Sequence, residues 1–144
     1  MHNADTTTYD EKKLFPPILA IDFDGTLVSN EFPKIGKPDW VITQAVKAYQ
    51  NRGWKLILWT CRTDNMLKDA VDFCRNVLDL EFDAVNQNLP EVQKFYGGDT
   101  RKVFANMYLD DRSAALFTGE PNTDFPEFAP VSLIIGTGKM VDGA

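Results

Sequence analysis

The chain has 144 residues, of which 44% are hydrophobic and 25% are charged, and its formal net charge at pH 7 is −6. This length suits one domain with a substantial core, and this composition argues against general disorder. The negative charge disfavours an extended nucleic-acid interface, because phosphate backbones are bound mainly by clustered lysines and arginines. A nucleotide stays compatible with it, since one local positive pocket can bind a single phosphate.

The cysteine and histidine content narrows the chemistry further. Cys61 and Cys74 fit no metal-ligand spacing, and two thiols are a weak disulfide signal, so we expect both to be reduced. The one histidine, His2, lies in a polar leader, which argues against catalysis by a histidine base. The sequence has neither a signal peptide nor an apolar run of about 18 residues, so we expect a cytoplasmic protein without a membrane anchor.

The domain organisation is simple. Residues 1–16 are predicted to form a flexible N-terminal arm, and residues 17–144 a single domain. Hydrophobic periodicity and turn residues indicate that strands and helices alternate along this domain. The predicted elements are, in chain order, a strand from Ile18 to Asp22 or Phe23, a loop over 29–38, a helix that Asp39 caps and that runs to about Arg52, a strand over 54–59, a helix from Asp64 to Asp79, a strand over 82–85, a long loop over 86–98, a strand within 103–109 and a last strand over 131–135.

This alternation predicts an α/β fold, a three-layer α/β/α Rossmann-like arrangement around a mostly parallel sheet. In such sheets ligands bind beyond the carboxyl ends of the strands. Polar side chains occupy those ends here. They are Asp22, Asp24, Thr60, Asp110 and Asp111.

Two pairs of acids follow apolar strands. Because residues i and i+2 of a strand project to the same face, we expect the carboxylates of Asp22 and Asp24 to enter one small volume. Gly25 then lets the backbone turn away and approach a ligand closely. Asp110 and Asp111 end a second apolar run. Like charges about 4 Å apart repel by roughly 4 kcal/mol at an effective dielectric near 20, so acids from two neighbouring strands indicate a cation site.

These residues resemble the haloacid dehalogenase superfamily of phosphotransfer enzymes. The segment Asp22-Phe-Asp-Gly-Thr-Leu27 is similar to the first motif of the family, and Thr60 after an apolar strand to the second. Lys102 is the best candidate for the lysine of the third motif, and Asp110-Asp111 resembles the fourth. The fourth motif, Asp110-Asp-Arg112, is similar to the fourth motif of small nucleotidases and polynucleotide 3′-phosphatases within the superfamily. The segments Leu56-Ile-Leu-Trp-Thr-Cys-Arg62 and Arg101-Lys102 resemble short bacterial and phage members.

The resemblance implies a mechanism with a metal ion. Asp22 would attack phosphorus and form an aspartyl phosphate, and no partner base is needed because a carboxylate is already ionised at neutral pH. Asp24 would protonate the leaving oxygen and later take a proton from water. Mg²⁺ would be bound by the Asp22 carboxylate, the Asp24 backbone carbonyl and Asp111. Asp110 would orient a metal-bound water or Lys102.

The same resemblance assigns the remaining contacts. Thr60 would donate its hydroxyl to a phosphate oxygen, and Lys102 would counter the negative charge of nucleophile and phosphoryl group. Lys94 or Arg101 could replace Lys102 in that role. The residues expected to bind phosphate or substrate are Gly25, Thr26 and Arg62, although Arg62 could instead pair with Asp64 at the surface.

Family members usually contain an inserted cap domain, for which the short connections of this chain leave no room. We therefore expect a core without a large cap, with an open site partly covered by residues 28–38 and 86–98. The resemblance favours a Mg²⁺-dependent phosphomonoester hydrolase acting on a small phosphorylated metabolite, such as a nucleotide or a sugar phosphate. The alternatives are a 3′-phosphatase of nucleic-acid ends, a non-catalytic phosphate-binding or regulatory domain, and a phosphoacceptor signalling domain. Assembly into a homo-oligomer stays open.

A stability expectation follows from clustered acids. If Asp24 adds to the repulsion at the site, replacing it by asparagine should raise the melting temperature. Removing Mg²⁺ should leave the fold intact.

Overall fold

The computed structural model describes residues 14–113, which form a small α/β Rossmann-like fold. Four short strands make one sheet in the order β3-β2-β1-β4, and every strand pairing in it is parallel. The strands are β1 (Ile18–Ile21), β2 (Lys55–Leu58), β3 (Ala84–Val85) and β4 (Met107–Leu109). The predicted fold class is confirmed.

Strand β1 lies between β2 and β4, so the two acidic strand ends are neighbours. Ile21 is opposite Leu58 on one side and Leu109 on the other. Beyond the paired residues, the amide of Asp22 donates to the carbonyl of Leu109 at 2.9 Å, which continues the pairing into the loop. The acids that follow β1 and β4 therefore leave the sheet side by side.

Three helices connect the strands. Helix α1 (Trp40–Asn51) begins after Asp39, whose Oδ1 accepts hydrogen bonds from the second and third backbone amides beyond it at 3.1 and 3.0 Å. This confirms the predicted cap, since a capping carboxylate satisfies amides that have no partner within the helix. Helix α2 (Asp64–Phe73) continues as a π-helical turn, Cys74–Leu78, and the chain then reverses at Asp79 with φ of +58°.

The segment 86–98, expected to be a long loop, contains helix α3 (Pro90–Tyr96), and the prediction was wrong there. Proline at the first helical position lacks the amide that would have no partner anyway, and Gly97 ends the helix with φ of +81°. Residues 84–85 alone form the predicted third strand. Of the arm predicted over 1–16, residues 1–13 lie outside the described residues, as does the last predicted strand, 131–135.

Apolar residues cover both faces of the sheet. One face packs against α1 and α2 through buried side chains that include Leu19, Ile21, Ile42, Val46, Ala70 and Cys74. The other face packs against α3 and the segment before β4 through Ile18, Ala20, Ile57, Val92, Val103 and Ala105. The helices thus form layers on the two sides of the sheet. None of the helices in residues 14–113 has the length and apolar character that crossing a bilayer requires.

Candidate active site

Three carboxylates meet at the carboxyl ends of β1 and β4. One oxygen each of Asp22, Asp110 and Asp111 lies within 4.8 Å of the others. Asp22 and Asp110 are half-buried, and Asp111 is exposed. Hard oxygen donors of this kind suit Mg²⁺, which binds through one or two carboxylates and keeps waters for its remaining positions. The donor set and its access to solvent therefore fit a divalent cation.

A tight turn after β1 fixes two of these acids relative to each other. The carbonyl of Phe23 accepts hydrogen bonds from the amides of Thr26, Leu27 and Val28, and the turn buries Thr26. The Thr26 hydroxyl accepts from the amide of Asp111 at 3.1 Å and donates to Asp22 Oδ2 at 3.4 Å. Thr26 was expected to bind phosphate. Its hydroxyl instead connects the two acidic segments.

Gly25 allows the close approach of Asp111. Its φ is +87°, and a Cβ built at this position would lie 2.7 Å from the Asp111 Cγ. Any larger residue would therefore force Asp111 to move and would also strain the backbone. The sequence predicted that Gly25 lets a ligand approach the backbone, and the structure shows that a carboxylate of the site itself occupies this space.

Among the described acids, Asp22 has the pKa that its surroundings shift most. Burial, followed by the negative charge of Asp110, raises the pKa of Asp22 to about 7. A hydrogen bond with Asp111 acts in the same direction. A bound cation would reverse these effects, because it favours the charged form of each carboxylate around it.

Asp24 is separated from this cluster by an ion pair with Arg62. The guanidinium donates from Nε to Asp24 Oδ2 at 2.8 Å and from Nη2 to Asp24 Oδ1 at 2.7 Å. The Arg62 side chain is 1% exposed and that of Asp24 is 16% exposed. Hydrogen bonding with Asp24 raises the pKa of Arg62, so the guanidinium is charged at every physiological pH.

The carboxylate cluster around Asp22 contains Asp110 and Asp111 and not Asp24, whose carboxylate is bound by Arg62. Strand β1 ends at Ile21, and the chain turns at Phe23, so the alternation of side chains does not extend to Asp24. The expected rise in melting temperature for Asp24→Asn has lost its basis, because Asp24 neutralises a buried charge. The carboxylate that adds to the repulsion is Asp110.

Arg62 is also placed differently from its expected roles. It donates from Nη1 to the carbonyl of Pro33 at 3.1 Å and from Nη2 to that of Lys34 at 2.9 Å. Its guanidinium carbon lies 5.2 Å from the ring centroid of Phe23 and 5.1 Å from that of Phe32. A buried guanidinium with these partners has no surface for a substrate, and its acidic partner is not Asp64.

Thr60 lies two residues beyond the carboxyl end of β2, the strand that pairs with β1. Its hydroxyl accepts a hydrogen bond from the amide of Arg62 at 3.1 Å, and its own amide donates to Asn86 Oδ1 at 2.8 Å. Asn86 follows β3 with φ of +54°. Asn86 was not predicted to lie beside Thr60. The available signal was an asparagine directly after a strand, because asparagine tolerates such a left-handed conformation.

The predicted lysine is not in contact with the acids. The Lys102 ammonium lies 5.3 Å from the ring centroid of Tyr108, on β4. Within residues 14–113, no ion pair joins Lys102, Lys94 or Arg101 to the carboxylate cluster. The cationic role assigned to Lys102 stays a prediction.

The fold and sequence are similar to those of a conserved protein from Bacteroides thetaiotaomicron whose structure has been solved. The two chains are 35% identical and superpose with a TM-score of 0.60, and the match covers 69% of this chain and 78% of the other. No protein-family model matches the chain, and no curated protein matches it. Identity and coverage at this level indicate common ancestry as well as a common fold.

Proposed function

The chain belongs to the same family as the conserved protein from Bacteroides thetaiotaomicron, and from that premise we propose that it is a Mg²⁺-dependent phosphomonoester hydrolase. The observation that supports this proposal is the meeting of three carboxylates from two adjacent strand ends. Unpaired acids at such spacing repel each other, and a divalent cation relieves that repulsion. The motifs around these acids resemble those of the haloacid dehalogenase superfamily. The proposed reaction is inferred from that resemblance.

Asp22, Asp110 and Asp111 would bind the cation, together with the backbone carbonyl of Asp24. When bound, Mg²⁺ supplies positive charge that neutralises these carboxylates and the substrate phosphate. The resemblance assigns the role of nucleophile to Asp22, which directly follows the inner strand β1 and whose amide donates to the carbonyl of Leu109. Its attack forms an oxygen–phosphorus bond as the bond to the leaving oxygen breaks. Water then hydrolyses the aspartyl phosphate.

The remaining roles are assigned to polar groups at the same edge of the sheet. Asp24 would give a proton to the leaving oxygen and take one from the attacking water. Among the described residues the Thr60 hydroxyl oxygen accepts from the amide of Arg62, which leaves its proton for donation to a phosphate oxygen. Lys102 would have to leave the ring of Tyr108 to reach the phosphoryl group.

The net charge of the chain favours a small substrate. Residues 22–39 connect β1 to α1 as a loop with two isolated bridges, Asp24 with Val28 and Val28 with Pro38, and this connection has no inserted cap domain. The formal charge of −6 opposes long-range attraction of a polyanion such as an extended nucleic acid. A nucleotide or a sugar phosphate is therefore the proposed substrate class.

Phosphate release from a panel of nucleotides, sugar phosphates and 3′-phosphorylated oligonucleotides tests this proposal. We expect turnover with Mg²⁺, none with chelator, and a loss of at least about 10³-fold in kcat for Asp22→Asn. Glu91→Gln removes an exposed acid on α3 and serves as the matched control, with unchanged turnover expected. If no substrate is hydrolysed above background, the chain is not a phosphatase, and binding of phosphate without turnover would favour the regulatory alternative.

A further inference from the structure

We infer that Arg62 is a positioning residue that holds the carboxylate of Asp24 before, between and after its two proton transfers; this inference rests on the proposed function. Arg62 has no exposed surface for a substrate, so it acts through Asp24.

The ion pair differs from the others among the described residues. Its two side chains are 1% and 16% exposed, whereas those of Lys68 and Asp72 are 71% and 38% exposed. Both oxygens of Asp24 accept from one rigid, planar group, which fixes the carboxylate in position and in rotation. An exposed pair with a flexible lysine has no such constraint.

Arg62 itself is fixed independently of Asp24. The carbonyls of Pro33 and Lys34 accept from it, and the rings of Phe23 and Phe32 lie near its guanidinium. If Asp24 leaves, the guanidinium keeps these partners and stays in place. Arg62 is therefore a stationary anchor to which Asp24 can return.

The two hydrogen bonds from Arg62 constrain proton transfer by Asp24. In the described state both Asp24 oxygens are hydrogen-bond acceptors, so at least one bond to Arg62 must open before Asp24 can take up a proton from solvent. That proton passes to the leaving oxygen as its bond to phosphorus breaks, and the carboxylate returns to Arg62. Asp24 then accepts a proton from water as the water oxygen bonds to phosphorus and the bond between Asp22 and phosphorus breaks.

The dependence of the rate on the leaving group tests the inference. An alkyl phosphate needs protonation of its leaving oxygen, whereas p-nitrophenolate leaves without it. We expect Arg62→Gln and Asp24→Asn each to lower kcat on an alkyl phosphate by about 10²-fold or more, and on p-nitrophenyl phosphate by less than about tenfold. Arg62→Lys keeps the charge without the planar fork and should fall between Arg62→Gln and the wild type.

A double variant and a surface control complete the test. The losses on the alkyl ester should not add in Asp24→Asn/Arg62→Gln, because both changes remove one device. Arg75→Gln removes an exposed arginine that pairs with Glu81 and should leave both rates unchanged.

Each contrary result has a separate meaning. Equal losses on the two esters, or additive losses in the double variant, would overturn the positioning role when the circular dichroism spectrum and melting curve of each variant show that it is folded at the assay temperature. Absence of turnover by the wild-type protein on both esters would overturn the proposed function, and the inference with it. Turnover by the wild type with equal losses would overturn the inference alone.

Discussion

Asp22 and Asp24 are two residues apart and have opposite electrostatic surroundings. Asp22 lies with two other carboxylates, and burial together with their charge raises its pKa to about 7. Asp24 is paired with a buried guanidinium through two hydrogen bonds. The first acid lacks a cation among the described residues, and the second has one. The proposed division between metal-binding nucleophile and proton donor follows from this difference.

Replacing Asp24 by asparagine should destabilise the protein. The change leaves the Arg62 charge buried without its counter-ion, and removing one partner of such a pair costs about 3 kcal/mol in the free energy of unfolding. Chemical denaturation measures this value. Asp72→Asn, which removes the carboxylate that pairs with the exposed Lys68 and Arg75, is the matched control and should leave the free energy of unfolding nearly unchanged. Equal stability of Asp24→Asn and wild type would show that the ion pair contributes nothing.

At the scale of elements, the turn after β1 determines the geometry of the site. It directs Asp24 toward Arg62 and brings the Thr26 hydroxyl between Asp22 and Asp111. The loop that follows supplies the carbonyls of Pro33 and Lys34 to the same arginine. One connection thus organises both the acidic cluster and the ion pair.

The glycine of this turn offers a test with an internal control. Gly25 and Gly97 have similar positive φ angles, +87° and +81°, but a Cβ at Gly97 would meet nothing within 4 Å. Both alanine variants should lose about 1 kcal/mol of stability from backbone strain. Only Gly25→Ala should also weaken Mg²⁺ binding, because its methyl group displaces Asp111. Titration calorimetry measures the affinity, and an equal affinity in the two variants would mean that Asp111 is not a ligand.

For the whole molecule, the acidic cluster predicts how stability depends on pH. The pKa of Asp22 is raised from 3.8 to about 7, so the folded state binds its proton more tightly than the unfolded state does. The resulting stabilisation is complete below pH 3.8 and is lost as pH rises through about 7. In chelator, the difference in melting temperature between wild type and Asp22→Asn should therefore change in favour of the variant across this window. Mg²⁺ should reduce that change, and a difference independent of pH would contradict it.

The part of the structure that could be predicted from the sequence depends on local patterns. Apolar runs that end in acids gave β1 and β4, and the parallel topology made them neighbours. The helix cap at Asp39 was equally visible, because capping is a local interaction. Helix α3 was missed even though Pro90 and Gly97 mark its ends, since its few apolar residues resemble those of a loop.

The pairing of Asp24 with Arg62 could not be predicted in this way. The two residues are 38 positions apart, and only the folded chain brings them together. The strand alternation that placed Asp24 beside Asp22 does not hold beyond Ile21, and no local pattern marks where a short strand gives way to a turn. The position of Lys102 over Tyr108 likewise depends on packing between distant segments.

The position of a bound divalent ion is the most direct test of the proposed cation site. Crystals grown with Mn²⁺, which replaces Mg²⁺ and has an anomalous signal, would show where the ion binds. We expect one anomalous peak in contact with the carboxylates of Asp22, Asp110 and Asp111, with the Asp24 carboxylate still hydrogen-bonded to Arg62. A peak at another position, or three carboxylates that point away from each other with no ion between them, would contradict it.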